Sequence, residues 1–232
     1  MTSALDIIDA AIAELEAKLN LKPGEVLPSA SKASEEKKQK KPKKEKQPPN
    51  NPPKKKNSPA NDDQPDICKL EFKVGVITKV WVHPDADKLY CEEIDVGEEQ
   101  PRQIASGLRP FYSLEQMEGQ RLLVVSNLKP KKLAGFQSAG MVLCAAETKE
   151  DGSESVVFVE PPAECPVGEI ITFEGLPLPE PFSGAQVEKK KIFQACAGGM
   201  KTTEEGLAAW NGHVFMTSKG PCSASLKNAM MR

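Results

Sequence analysis

Several features of membrane proteins and enzymes are missing from these 232 residues. No run of about eighteen apolar residues is present, which excludes an ordinary transmembrane helix. The first 22 residues lack the apolar core and cleavage site of a secretory signal. The chain has no glycine-rich phosphate loop, no Gly-x-Ser-x-Gly motif and only two histidines. We therefore expect a protein that is not an enzyme, with no cofactor, no metal site and no small-molecule substrate.

Paired cysteines and stacking aromatics are also scarce. The six cysteines are scattered without a Cys-x-x-Cys pair, which excludes a zinc finger and favours buried thiols. Aromatic residues form 5% of the chain and make no row along a strand, which disfavours a protein that stacks single-stranded bases. The larger aromatics are predicted to lie in the core: Phe72, Trp81, Phe111, Phe158, Phe173 and Trp210.

The net charge of -2 hides a strong asymmetry along the chain. Eleven lysines and three glutamates between Lys32 and Lys56 give that tract a charge of +8. The remainder from residue 67 onwards carries a charge of -4. The basic tract is typical of a segment that meets a polyanion, whereas the acidic remainder needs a local basic patch to do so.

The N-terminal segment 1–22 predicts an amphipathic helix, and the segment 23–66 predicts a disordered linker. The helix carries an apolar seam at heptad spacing and is expected to bind a partner through it, in coiled-coil fashion. The alternative is that this seam packs on the globular part of the same chain. The linker is rich in Lys and Pro and has too few aliphatic residues to form a core. Its lysines either bind RNA phosphates or form a solvated, nuclear-localisation-like spacer. The seam consists of Leu5, Ile8, Ile12, Leu15 and Leu19.

From residue 67 the chain becomes rich in β-branched residues with turn signals between short apolar runs. This pattern predicts a mainly β fold, an OB-type five-stranded barrel over 67–171, followed by a less regular extension over 172–232. A short helix is expected over 114–117. Strands are expected over 70–82, 89–96, 103–106, 121–125, 141–145, 156–159, 170–173 and 213–217.

Separated motifs resemble one family. They are His83–Tyr90 (HPDADKLY), Ser126–Pro130 (SNLKP), Ser138–Met141 (SAGM) and the tail segments Lys189–Ile192 and Gly220–Cys222. They resemble the tRNA-binding module of endothelial-monocyte-activating-polypeptide-type proteins, which also ends some methionyl- and tyrosyl-tRNA synthetases. In that family the extension packs as a mock second subunit, a pseudo-dimer within one chain.

The resemblance implies a function for the whole chain. It implies a cytoplasmic cofactor that binds the corner of tRNA without reading the anticodon and brings tRNA to aminoacyl-tRNA synthetases, methionyl-tRNA synthetase among them. Two alternatives stay open. One is a precursor of a cytokine-like fragment, since residues 73–78 lie where the family's signalling peptide sits. The other is a general RNA-binding adaptor.

Candidate tRNA contacts follow from these motifs and from the chemistry of phosphate binding. Lysine offers a compact charge to phosphate without base specificity. Asn127 either fixes its loop or contacts a nucleotide. A metal site at His83, Asp85 and Asp87 is disfavoured because no second ligand cluster completes it. Ala134 departs from the family, in which many relatives carry Arg. The candidates are Lys79, Lys88, Arg109, Asn127, Lys129, Lys131, Lys132, Ser138, Lys189, Lys190 and Lys191.

Overall fold

The computed structural model describes residues 62–232. The predicted helix over 1–22 and the linker up to residue 61 lie outside the described residues. Residues 62–66, predicted as linker, belong to the folded part. The Gln64 side chain is buried and exchanges two hydrogen bonds with the backbone of Glu180, at 2.7 and 3.2 Å. No helix in the described range is long and apolar enough to cross a membrane.

The described residues form mostly short strands and a few short helices. The helical elements are a 3-10 turn (Asp66–Lys69), α1 (Leu114–Met117), α2 (Gly184–Lys190) and α3 (Ile192–Ala197). The strands are β1 (Phe72–Val82), β2 (Tyr90–Asp95), β3 (Arg102–Ser106), β4 (Arg121–Val125), β5 (Lys131–Leu133), β6 (Phe136–Ser138), β7 (Met141–Val142), β8 (Cys144–Thr148), β9 (Glu154–Phe158), β10 (Thr172–Phe173), β11 (Met200–Thr202), β12 (Ala208–Trp210), β13 (His213–Thr217), β14 (Gly220–Pro221) and β15 (Met230–Met231).

The barrel is a five-stranded sheet in the order β3-β2-β1-β4-β7, and all its pairs are antiparallel. Its open seam is bridged where the Ala139 N–H donates to the Gln103 carbonyl at 2.8 Å. Arg102 crosses the same seam and donates to the carbonyls of Ser126 and Ala139. The predicted mainly β class with an OB-type barrel is confirmed.

Strand β4 is buried on both faces, and this explains its continuous apolar sequence. Leu122 and Val124 belong to the cluster inside the barrel. Leu123 and Val125 belong to a second cluster, which the barrel shares with the C-terminal extension. Burying such a side chain contributes on the order of 1.5–3 kcal/mol, so the extension is part of the same folding unit as the barrel.

The extension is joined to the barrel by both packing and hydrogen bonds. Phe72 of β1 packs edge-on against Phe215, with ring centroids 5.1 Å apart. Strand β15 pairs with β8, and the Arg232 N–H donates to the Cys144 carbonyl at 2.8 Å. The predicted boundary between residues 171 and 172 therefore crosses a continuous core.

Candidate nucleic-acid interface

The β5–β6 hairpin carries two of the predicted lysines on opposite faces. Its two-residue turn, Ala134 and Gly135, has positive φ angles of 47° and 91°, the signature of a turn that tightly reverses twisted strands. Side chains alternate along a strand, so Lys131 and Leu133 lie on one face and line a groove, whereas Lys132 lies on the other face. Lys131 pairs with Ser138 across the hairpin, and both line the same groove.

Helix α2 of the extension sits directly on the loop that follows β4. A Cβ on Gly184 would lie only 3.1 Å from both the Asn127 carbonyl oxygen and the Lys129 nitrogen, so glycine permits this close approach. The helix begins with a capping box, in which Ser183 and Gln186 each accept a hydrogen bond from the other's backbone N–H. Loop and helix therefore hold a fixed spacing.

An ion pair joins this loop to the helix. The Lys129 Nζ lies 2.8 Å from the Glu188 carboxylate, and both side chains remain about half exposed. The hydrogen bond from Lys129, together with its charge, holds the pKa of Glu188 below its usual value. Lys129 thus already carries an anionic partner at the position where a phosphate would approach.

Three consecutive lysines end helix α2. Lys190 pairs with Asp62, and its ammonium lies 5.2 Å from the centre of the Phe182 ring. Lys189 is exposed. Lys191 is exposed and adopts a left-handed conformation with φ 53° between α2 and α3. A left-handed backbone conformation costs a non-glycine residue about 1 kcal/mol or more. The break at Lys191 separates the two helices while keeping a cation at the surface.

A groove with a cavity volume of about 380 Å³ runs between the hairpin and the extension. One wall is Lys131 and Leu133 from the hairpin, and the opposite wall is Val187 and Phe193 from the two helices. Lys129 and Glu188 are also at its edge. Two predicted lysines from the segment after β4 therefore line one concave surface together with residues of the extension.

The second half of β1 presents Lys79 and Trp81 on the outer face of the barrel. A register shift between Ile77 and Lys79 changes the phase of the strand, so that Ile77 points inward and Lys79 outward. The Lys79 ammonium lies 5.3 Å from the centre of the Trp81 ring. Trp81 in turn packs edge-on against Phe136 of the hairpin at 6.0 Å.

Trp81 is predicted to be core, yet it is half-buried at the surface beside the Lys79 ammonium. Phe111 and Trp210 are half-buried as well, whereas Phe72, Phe158 and Phe173 are core. The β-bulge near Thr78 explains the exposure of Trp81, because it places this side chain on the outer face of β1 together with Lys79. Gly75 leaves room for Ile94, whose Cγ2 would lie 2.9 Å from an added Cβ.

Lys88 and Arg109 lie together at one end of the barrel. Pairing of Tyr90 with Ser106 sets the β1–β2 loop beside the segment that follows β3. An Arg109 guanidinium nitrogen lies 3.9 Å from the Asp87 carboxylate, and Lys88 is exposed. His83 organises this loop, since its Nδ1 accepts from the Asp85 N–H at 3.1 Å. Its ring also contacts Phe136, at 6.3 Å between centroids.

Asn127 and Ser138, predicted as tRNA contacts, have side chains that bond to the protein's own backbone. The Asn127 amide donates to the carbonyls of Lys69 and Phe182 and accepts from the Glu71 N–H, each at 2.9 Å. The buried Ser138 hydroxyl donates to the Gly140 carbonyl at 3.0 Å and accepts from the Ala105 N–H at 3.1 Å. We therefore assign both to shaping the loop and groove.

The remaining nine candidates are cations on the outer surface. Lys129 and Lys131 line the groove, Lys132 lies in the same hairpin, and three lie at the end of helix α2. Lys79 lies beside Trp81, and the last two lie near the β1–β2 loop. Phe136 connects these areas through its contacts with Trp81 and His83. Sequence reasoning missed Glu188 and Phe193. The available signal was the Ser183-x-x-Gln186 capping box, which marks the start of the helices that carry them.

Comparisons with known proteins place this chain among tRNA-binding domains. The family model described as a putative tRNA binding domain matches residues 72–170. The cytoplasmic tyrosine–tRNA ligase of Gallus gallus is 41% identical over 160 residues, which are 68% of this chain and 30% of the ligase. The aminoacyl tRNA synthase complex-interacting multifunctional protein 1 of Cricetulus griseus is 38% identical over 169 residues, 72% of this chain and 45% of that protein.

A solved structure matches most of the chain. The crystal structure of the C-terminal domain of Plasmodium vivax p43 has a TM-score of 0.64 and 34% sequence identity. The match covers 72% of this chain and 98% of that domain. The chain spans less than half the length of the curated relatives named above.

Proposed function

Because the chain belongs to the tRNA-binding domain family, in its endothelial-monocyte-activating-polypeptide type, we propose that it is a non-catalytic tRNA-binding cofactor. It binds the corner of tRNA without anticodon specificity and delivers tRNA to aminoacyl-tRNA synthetases in a cytoplasmic complex. Methionyl-tRNA synthetase is one proposed partner. The single observation that carries the proposal is the groove whose rim holds Lys129 and Lys131 and whose opposite wall comes from the helices of the extension.

The chemistry of this surface supports binding to the shape and phosphates of a folded RNA. Lysine ammonium groups attract phosphate oxygens and carry no information about the base sequence. The proposed surface extends from Lys88 past Trp81 to Lys191. It is not a narrow channel of the kind that holds a single strand of RNA. Phosphate contacts spread in this way suit a structured corner common to all tRNAs better than an anticodon.

Delivery is proposed to involve the segments N-terminal to the folded part. The apolar seam that includes Ile8 and Ile12 would bind a synthetase, and the Lys32–Lys56 tract would add phosphate contacts. Holding tRNA and enzyme on one chain raises the effective concentration of each near the other. Residues 73–78 form part of β1, the strand between β2 and β4, and no observation favours the signalling alternative.

A triple variant of the full chain tests tRNA binding. Lys131→Ser, Lys132→Ser and Lys191→Ser together remove three proposed phosphate contacts. Lys149→Ser, Lys201→Ser and Lys227→Ser form the matched control, since these lysines are exposed elsewhere on the fold. In a salt series we expect the slope of log K against log salt to fall by about 2–3 only for the first triple variant. Equal slopes for both triple variants would contradict the proposal.

Competition experiments separate a tRNA cofactor from a general RNA-binding adaptor. Transfer RNAs with different anticodons are expected to compete equally for the full chain, and a heparin or poly-uridine competitor of matched charge is expected to compete less well. Equal competition by every polyanion would favour the adaptor.

Delivery itself is tested with methionyl-tRNA synthetase at a tRNA concentration below its KM. The wild-type chain is expected to raise the aminoacylation rate, whereas the Ile8→Asp, Ile12→Asp variant is expected to bind tRNA but not to raise that rate. A rate that is unchanged by the wild-type chain would refute delivery to this enzyme and leave tRNA binding intact.

A further inference from the structure

The groove beside the β5–β6 hairpin differs chemically from the rest of the basic surface. Its facing walls are Leu133 on one side and Val187 with Phe193 on the other. Leu133 is 39% exposed and follows Lys131 and Lys132 in the hairpin. A volume of about 380 Å³ lies within the range of small-ligand pockets, roughly 300–1,000 Å³. Phosphate binding alone needs no such cavity.

The mouth of the groove is cationic. Lys129 and Lys131 both line it, so a ligand that enters between the apolar walls meets ammonium groups at the rim. A nucleotide combines a flat base with apolar faces and a charged phosphate, and it matches both parts of the groove. An apolar peptide segment would match the walls but would make no use of the exposed Lys131 at the rim.

Glu188 occupies the rim in the structure described here. Its carboxylate pairs with Lys129 at 2.8 Å and ties the loop after β4 to helix α2. A phosphate arriving at Lys129 has to replace this carboxylate, and two anions at one ammonium repel each other. The carboxylate therefore competes with a phosphate for the same cation.

We propose that this groove is a pocket for one unpaired nucleotide of the bound RNA. Its base lies between Leu133 and Phe193, and its phosphate displaces Glu188 from Lys129. The proposal rests on the proposed tRNA-binding function and adds a base contact to a surface otherwise suited to phosphates. Unpaired bases splayed out of a folded RNA are the usual targets of apolar contacts in RNA recognition.

Photo-crosslinking tests where the base lies. A benzophenone amino acid replaces Leu133 in the full chain, and a second chain carries it at Leu114, which is also 39% exposed but lies in α1, outside the groove. Crosslinks to purified tRNA are mapped by primer extension. We expect position 133 to crosslink one or two unpaired nucleotides, and position 114 to give none. Crosslinks spread over base-paired stems, or absent at position 133, would overturn the pocket.

Two substitutions test the energetics. Leu133→Ser is expected to weaken tRNA binding roughly five- to twentyfold with an unchanged salt slope, since it removes an apolar contact and no charge. Leu114→Ser is the control and is expected to have no effect. Glu188→Gln frees Lys129 and is expected to strengthen binding more than Glu164→Gln, which removes an equal charge from an exposed position outside the groove.

The outcomes separate this inference from the function on which it rests. If the wild-type chain binds no tRNA, the proposed function fails. If it binds tRNA but Leu133→Ser binds equally well and Glu188→Gln behaves like Glu164→Gln, only the pocket is refuted.

Discussion

Replacement of Glu92 by glutamine should make the stability of the protein less dependent on pH. Glu92 pairs with Val80 and Ile104 on neighbouring strands, so its side chain points into the barrel, where it is 0% exposed. One carboxylate oxygen accepts from the Ser106 hydroxyl, while the other has no hydrogen-bond partner. Burial raises the pKa of Glu92 from 4.5 to about 7, and the Ser106 hydrogen bond opposes that rise.

The sign follows from the direction of the pKa change. Below pH 4.5 the carboxyl is protonated in both folded and unfolded chains, so its ionisation costs nothing. As the pH rises towards 7, the Glu92 carboxyl ionises in the unfolded chain but stays protonated in the folded chain. The free energy of unfolding therefore falls. Each unit of pKa difference corresponds to about 1.4 kcal/mol, so the loss reaches about 3 kcal/mol above pH 8.

The assay is urea unfolding of the full chain and of Glu92→Gln between pH 4.5 and pH 8.5. Glutamine keeps an oxygen that accepts from Ser106 and does not ionise. We therefore expect the variant to gain about 3 kcal/mol relative to wild type across this range. Subtracting the two curves cancels the titration of all other groups.

Glu93→Gln is the control, because it removes the same charge from the half-exposed outer face of β2, where water screens it. A difference between wild type and Glu92→Gln that stays constant with pH would refute the assigned burial cost. If the stability of Glu92→Gln relative to wild type fell as the pH rises, the effect of burial on the pKa of Glu92 would have the opposite sign.

Three further substitutions probe other parts of the fold. Hydrogen bonds from Arg102 and Lys73 lower the pKa of Glu98 to about 2. Glu98→Gln should therefore lower the free energy of unfolding at neutral pH. In urea unfolding this loss should vanish as the pH falls from 4.5 towards 2. Ala134→Arg should steepen the salt slope of tRNA binding by about 0.9, and uncharged Ala134→Asn should not. Gly184→Ala should displace α2 from the loop and weaken tRNA binding and thermal stability, whereas Gly198→Ala, with open space around its Cβ, should not weaken binding. Unchanged values for any of the three would contradict the contacts assigned to that residue.

Most barrel strands were predictable because their side chains alternate or are continuously apolar. The strand over 121–125 and the short helix over 114–117 occur at the predicted bounds. The extension was harder to predict because its strands are short. Strand β11 has three residues and pairs with β12 and β15, so its conformation depends on partners distant in sequence.

The candidate contacts differ in the same way: some depend on local sequence and others on the folded chain. A lysine needs only exposure to meet phosphate, and loop composition indicates exposure well. Asn127 and Ser138 are short polar side chains whose partners are set by the backbone around them. Only the folded chain shows that Lys69, Phe182 and Ala105 use up their hydrogen-bonding groups.

The sequence by itself determined the class of fold, the position of the barrel and the set of exposed cations, because periodicity, turn residues and charge are local properties. Tertiary structure alone decided that Lys129 and Lys131 share one groove with the helices of the extension, that Trp81 faces outward and that Glu92 is buried. Each of these depends on register: the shift after Ile77 sets which face a side chain joins, and the approach of α2 at Gly184 brings residues far apart in sequence into contact.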